Sequence, residues 1–113
     1  MKKINQGEIW YANLNPTQGS EQAGHRPVVV LSGDMLNTHL KIVIVMPLTT
    51  KIKNFKGGVV LKPNAVNGLK ITSEILTFHI RSLSKERLTK KVGEITKMEL
   101  NELKQGLDDI LRY

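Results

Sequence analysis

The residues Ile42-Val43-Ile44-Val45-Met46-Pro47-Leu48 form the longest uninterrupted apolar stretch of this chain. It is far too short to cross a bilayer, and a continuous apolar run of this length reads as a buried strand, predicted here over Ile42 to Met46 and closed by Pro47. Working outward, Pro27 introduces a second such run, Val28-Val29-Val30-Leu31. Glu8-Ile9-Trp10-Tyr11-Ala12 is β-prone and bounded by Gly7 and by Asn13 to Pro16. Residues 15–25 carry turn formers and few hydrophobes, which predicts a long loop. Downstream, Gly57-Gly58 precedes a strand at Val59-Val60-Leu61, Ile75 to Ile80 is a further candidate, and Lys90 to Ile95 is the last.

The period then changes. Thr96-Lys97-Met98-Glu99 has the spacing of a capping box, and Ile95 and Leu100 have that of a hydrophobic staple. Leu100, Leu103, Leu107, Ile110 and Leu111 fall on one face of the helix that follows. Gly106 weakens that helix by up to about 1 kcal/mol relative to Ala, which points to a close contact. Five or six short strands stand too close together for crossover helices. The predicted fold is therefore mainly β with a C-terminal α-helix, a small bent antiparallel sheet or barrel.

The 113 residues are 40% hydrophobic and 24% charged, which supports a single domain over residues 1–113. Polar residues follow the two lysines after Met1, so no secretory signal is expected. The chain has no cysteine, which excludes disulfides, thiolate nucleophiles and Cys-based zinc sites. These features together predict a soluble, cytoplasmic domain with no membrane association.

The formal charge of +7 is unevenly placed. From Glu94 onward five acids outnumber three bases, so residues 1–93 carry +9. Between Asp34 and Glu74 lie six lysines and no acid. Such a field favours a polyanion, either nucleic acid or an acidic protein segment, although a solvated lysine face alone would give the same composition.

No P-loop, Gly-x-Gly-x-x-Gly or His-Glu-x-x-His pattern is present. The histidines His25, His39 and His79 make no pair at the spacing of a helical metal site, and carboxylates are sparse before residue 86. A two-metal nuclease needs several carboxylates, so phosphodiester cleavage here would proceed without metal or other cofactor. RNA permits this because its 2′-OH is an internal nucleophile. The protein must align that hydroxyl, neutralise charge on the phosphorane and move protons, for which Arg, Thr/Ser and His are suitable. The expected products are a 2′,3′-cyclic phosphate and a 5′-OH.

The segment Gly19-Ser20-Glu21-Gln22-Ala23-Gly24-His25-Arg26-Pro27-Val28-Val29-Val30-Leu31-Ser32 resembles the signature of the MazF/PemK/Kid toxins, endoribonucleases of bacterial toxin–antitoxin systems. The resemblance extends to Gly7-Glu8-Ile9-Trp10, Asn15-Pro16, Pro47-Leu48-Thr49-Thr50, Ile80-Arg81-Ser82-Leu83 and the terminal helix, so it covers nearly the whole chain. It implies an SH3-like β-barrel of the MazF/Kid/CcdB type and a homodimer. It also implies sequence-selective cleavage of single-stranded mRNA that arrests translation and growth, and inhibition by an acidic antitoxin, with which operator DNA would be bound.

By position, Arg26 matches the family's catalytic arginine and Thr49 its catalytic hydroxyl. Arg26 offers a permanent positive fork to phosphate oxygens and is implausible as a general base unless strongly perturbed. A structural salt bridge is the plainer reading of Arg26, and a loop-capping hydroxyl that of Thr49. Where many relatives carry an acid followed by Gln, this chain has Phe78-His79. A carboxylate base is thereby excluded at that position. His79 either takes over proton transfer or is a strand histidine satisfied by its neighbours. Phe78 either stacks on a base or packs in the core. Ser20, Glu21, Gln22, His25, Thr50, Lys51, Lys53 and Lys56 complete the expected RNA surface, the lysines by charge along the backbone. For His25 a plain loop role stands equally open, as a solvated loop does for the lysines. Trp10 is read as core or interface. Two rival functions remain: a non-catalytic nucleic-acid-binding barrel, and a gyrase inhibitor of the CcdB type.

Overall fold

The computed structural model describes residues 2–15 and 24–113. Its elements are β1 (Glu8–Asn13), β2 (His25–Val30), α1 (Asp34–His39), β3 (Ile42–Thr49), β4 (Val59–Leu61), β5 (Ser73–Ile75), β6 (Arg81–Ser84), β7 (Leu88–Glu94) and α2 (Lys97–Arg112). Two 3₁₀ turns, Thr77–His79 and Lys85–Arg87, flank β6. The strands form one curled antiparallel sheet in the order β4-β5-β3-β2-β1-β7, with β6 also paired to β3. Among the described residues no helix is long and apolar enough to cross a membrane.

The sheet buries both of its faces, which is why β2 and β3 read as continuous apolar runs. Val28 and Val30 join Val43, Val45, Trp10, Ala12 and Leu83 in one cluster. Their neighbours Val29, Met46 and Leu48 join Ile9, Ile75 and Leu103 in the other, against which Leu100 and Leu107 of α2 pack. Alternation along each strand thus feeds two cores at once. The expected capping box is complete: Glu99 N donates to Thr96 Oγ1 at 3.1 Å and Thr96 N donates to Glu99 Oε1 at 2.8 Å.

Three expectations are corrected. Pro47 does not close its strand, because β3 continues to Thr49 with Pro47 opposite Val28 of β2. The Pro47 carbonyl accepts from Leu76 N, so its missing N–H would point to the same side. On that side β3 exchanges β6, paired through Val45, for β5, paired from Leu48, so the lost donor costs the ladder nothing. The stretch Ile75 to Ile80 is not one strand: β5 ends at Ile75, and a 3₁₀ turn intervenes before β6. Apolar composition there reflects burial of a turn, which periodicity cannot separate from a short strand. Finally, His25 begins β2 instead of closing a loop, paired with Asn13 of β1.

Gly106 meets the close contact expected of it. A Cβ there would lie 2.1 Å from the carbonyl oxygen of Gly57. The backbone of α2 therefore rests directly on the loop between β3 and β4.

Candidate functional site

Thr49 ends β3, and Arg26 lies near the start of the adjacent β2. The β2–β3 ladder ends at Val28–Pro47, two residues short of Arg26 on one strand and of Thr49 on the other. Two residues from distant parts of the sequence are thus placed at one end of two central strands. Arg26 is half-buried, whereas Thr49 is only 9% exposed. Thr49 Oγ1 accepts from Lys51 N at 3.2 Å, so the hydroxyl does cap the loop. That bond uses an acceptor lone pair and leaves the O–H free to donate. The capping and phosphate-binding readings of Thr49 are therefore compatible.

Thr49, Lys51, Lys53, Phe55, Leu76, Phe78 and His79 line a cleft of about 230 Å³. Arg26 is not among the lining residues; it lies on the neighbouring strand β2. His79 occupies the 3₁₀ turn, not a strand, and its ring lies 4.6 Å from that of Phe78. Neither of its ring nitrogens hydrogen-bonds to another described residue. Phe78 is no core residue: it is 44% exposed and meets Phe55 edge to face at 4.9 Å.

The other expected residues divide. Thr50, Lys51, Lys53 and Lys56 are exposed along the β3–β4 loop. His25 is turned elsewhere, its Nε2 lying 3.1 Å from Thr89 Oγ1 of β7. Ser20, Glu21 and Gln22 lie outside the described residues. Trp10 is core, its indole donating to Glu8 Oε1 at 3.1 Å. Among the described residues no three of His, Asp or Glu come together as a metal site.

Sequence reasoning missed Phe55, which lines the cleft, and Glu74, which holds its loop. Glu74 is wholly buried beneath the lysine loop. Its Oε1 accepts from Lys53 N at 2.8 Å and Asn54 N at 3.1 Å, and its Oε2 accepts from Phe55 N at 2.7 Å. Asn54 adopts φ +53, a left-handed conformation that asparagine tolerates, and this curls successive amides around the carboxylate as a nest. Gly58 permits the approach, since a Cβ there would lie 3.0 Å from Glu74 Oε2. The signals were a lone acid at the far end of an acid-free stretch and a Gly-Gly pair, neither of which indicates its partner.

Comparison with known proteins identifies the family. Residues 5–111 match the family model described as PemK-like, MazF-like toxin of type II toxin–antitoxin system. The chain is 34% identical over 109 residues to Endoribonuclease MazF9 of Mycobacterium tuberculosis, covering 92% of each chain. The crystal structure of MazF from Deinococcus radiodurans superposes with a TM-score of 0.86 at 26% identity, covering 100% of both chains. A MazE-MazF structure from the same organism gives a TM-score of 0.79 at 28% identity, covering 98% of this chain and 97% of that one. With its signature, its curled sheet and its C-terminal helix in agreement with these relatives, the chain belongs to the PemK-like, MazF-like toxins of type II toxin–antitoxin systems.

Proposed function

We propose that this protein is a metal-independent, sequence-selective endoribonuclease toxin that cleaves single-stranded mRNA. The reading is supported by Arg26 and Thr49 lying at the same end of two adjacent strands, with Thr49 lining a lysine-bearing cleft, in a chain of a toxin family whose relatives are named endoribonucleases. The ribose 2′-oxygen attacks phosphorus and loses its proton, while the bond to the 5′-oxygen breaks and that oxygen gains one. Arg26 neutralises charge on the non-bridging oxygens, and Thr49 donates a hydrogen bond to the same phosphate. His79, at the cleft wall, carries the proton in place of the family's acid. The exposed lysines follow the RNA backbone, so binding weakens steeply with salt. The protein acts as a homodimer in the cytoplasm. An acidic antitoxin restrains it, and the pair together binds operator DNA.

The test is incubation with a long single-stranded RNA in excess EDTA, with product ends mapped, beside Arg26→Ala. Cuts at a repeated short motif with 5′-OH ends are expected, and the variant should lose about 100-fold or more in rate. RNA that is bound but left intact would replace this reading with that of a non-catalytic nucleic-acid-binding barrel. Loss of gyrase supercoiling in its presence would favour the CcdB-type alternative.

A further inference from the structure

The cleft wall has a feature that cleavage chemistry alone does not call for. Phe55 and Phe78 are 41% and 44% exposed, an unusual burial state for two phenylalanines in mutual contact. Their centroids are 4.9 Å apart at 75°, so the rings touch and leave no gap for a base between them. Each can offer only its outer surface. Lys51 and Lys53 line the same cleft, which puts cations beside the aromatic pair. Exposed rings flanked by lysines are the arrangement by which unpaired bases are held, with stacking on the ring and the backbone phosphates on the cations.

From this, and resting on the RNA-cleavage reading, we propose that Phe55 and Phe78 form one stacking platform for an unpaired base next to the scissile phosphate, and that Glu74 is its positioning residue. Glu74 touches no substrate. It fixes three consecutive amides, ending at Phe55 N, and thereby sets where the Phe55 ring stands. Gly57, the second residue after Phe55, is seated on Gly106 of α2, so the loop is tied on both sides of the ring. A platform held this way is formed before RNA arrives, and little ordering is left for binding to impose. The aromatic pair therefore selects for a base that can leave its stack, which means single-stranded RNA, and contributes to the choice of nucleotide at one position of the motif.

The experiment begins with the cleavage site mapped for the wild type. A short RNA spanning that site is then made with a 2′-deoxy residue at the cut, which blocks cleavage, and as a series with each base in turn removed. Wild type should bind one member of the series about tenfold or more weakly than the intact RNA. In Phe55→Leu this penalty should vanish, in Phe55→Tyr it should persist, and in Glu74→Gln it should shrink. For Glu74→Gln on cleavable RNA, KM should rise while kcat at saturation stays within about twofold. Thermal melts show whether each variant is folded, and Phe55→Leu lies on an exposed loop where folding does not depend on it. An undiminished penalty in folded Phe55→Leu, or a fall in kcat with KM unchanged for Glu74→Gln, overturns the platform while leaving the nuclease reading intact. A wild type that cleaves no RNA overturns the nuclease reading itself, and the platform with it.

Discussion

Glu8 and Glu74 are both buried carboxylates, one at the outer strand pair of the sheet and the other beneath the cleft loop. Glu8 has a cation: Lys91 Nζ of β7 stands 3.0 Å from its Oε2. Asn5 N at 2.8 Å, Asn5 Nδ2 at 3.4 Å and the Trp10 indole at 3.1 Å also donate to it, so one side chain joins the N-terminal segment, β1 and β7. Glu74 has three backbone amides, all from one loop, and no cation among the described residues. Burial opposes ionisation of Glu8, but the Asn5 amide, the Lys91 ammonium and the Trp10 indole outweigh it and hold the carboxyl below its ordinary value. The lesson lies in what each carboxylate connects. Glu8 ties together elements far apart in sequence and so belongs to the stability of the fold. Glu74 shapes a short loop and so belongs to the geometry of the cleft.

Replacing each residue tests that division. Glu8→Ala strands the buried Trp10 indole, the half-buried Asn5 amide and the partly exposed Lys91, and should cost about 3 kcal/mol in urea denaturation. The KM for RNA of the folded fraction should not move. Glu74→Gln should do the reverse, with a small stability loss, since loop amides can turn to water, and a raised KM. A Glu8 variant that alters RNA affinity, or a Glu74 variant that alters only stability, would erase the distinction.

Gly106→Ala asks whether the loop over Glu74 is held by the helix as well. Alanine favours the helix by up to about 1 kcal/mol, yet its Cβ would meet the Gly57 carbonyl at 2.1 Å. Backbone must shift, so a net destabilisation of about 2 kcal/mol is expected. A gain in stability would mean that the loop yields freely and that Glu74 alone positions it.

Thr77 is the counter-example to both glutamates. It is wholly buried and its hydroxyl has no hydrogen-bond partner among the described residues. Thr77→Val should therefore stabilise the protein by about 1 kcal/mol, read as a raised denaturation midpoint. A loss would reveal an acceptor or donor for that hydroxyl.

The mildest test is pH. The folded chain holds Glu8 below its ordinary value of 4.5, so on acidification the unfolded chain takes up the proton first. The stabilisation from Glu8 is complete above the unfolded value and is lost as pH falls through the folded one. Stability measured by denaturant should decline along that limb, and Glu8→Gln should flatten the decline. An unchanged acid limb in the variant would show that the Asn5 amide, Lys91 and the Trp10 indole do no more than offset the burial of Glu8.

Strands carrying their own hydrophobic signal were readable from sequence, as were the cap and face of α2. The half-buried β6, Arg-Ser-Leu-Ser, was not, because it owes its form to pairing with Ile42–Val45. Nor was α1, a six-residue helix with a single wholly buried side chain, Asn37, and no apolar stripe. At the site, Thr49 and His79 were found through their positions in the motifs that resemble the family, and they do share the cleft. Phe55 and Glu74 were not, since one is an aromatic in a lysine loop and the other a lone acid. What joins them is a set of backbone hydrogen bonds across residues 53–74, and backbone amides leave no mark on a sequence.

The contact between Gly57 and Gly106 has a consequence for heritable change in this protein. When two large side chains meet, a bulky mutation at one position can be rescued by a smaller residue at the other. Here both partners are already the smallest residue, and the atoms nearest Gly106 are all backbone of Gly57. A bulkier residue at Gly106 therefore finds no second-site reversion at Gly57. In a library of random variants, these two distant positions should remain nearly monomorphic, while Lys51 and Lys56, a few residues from one of them, drift freely wherever charge is kept.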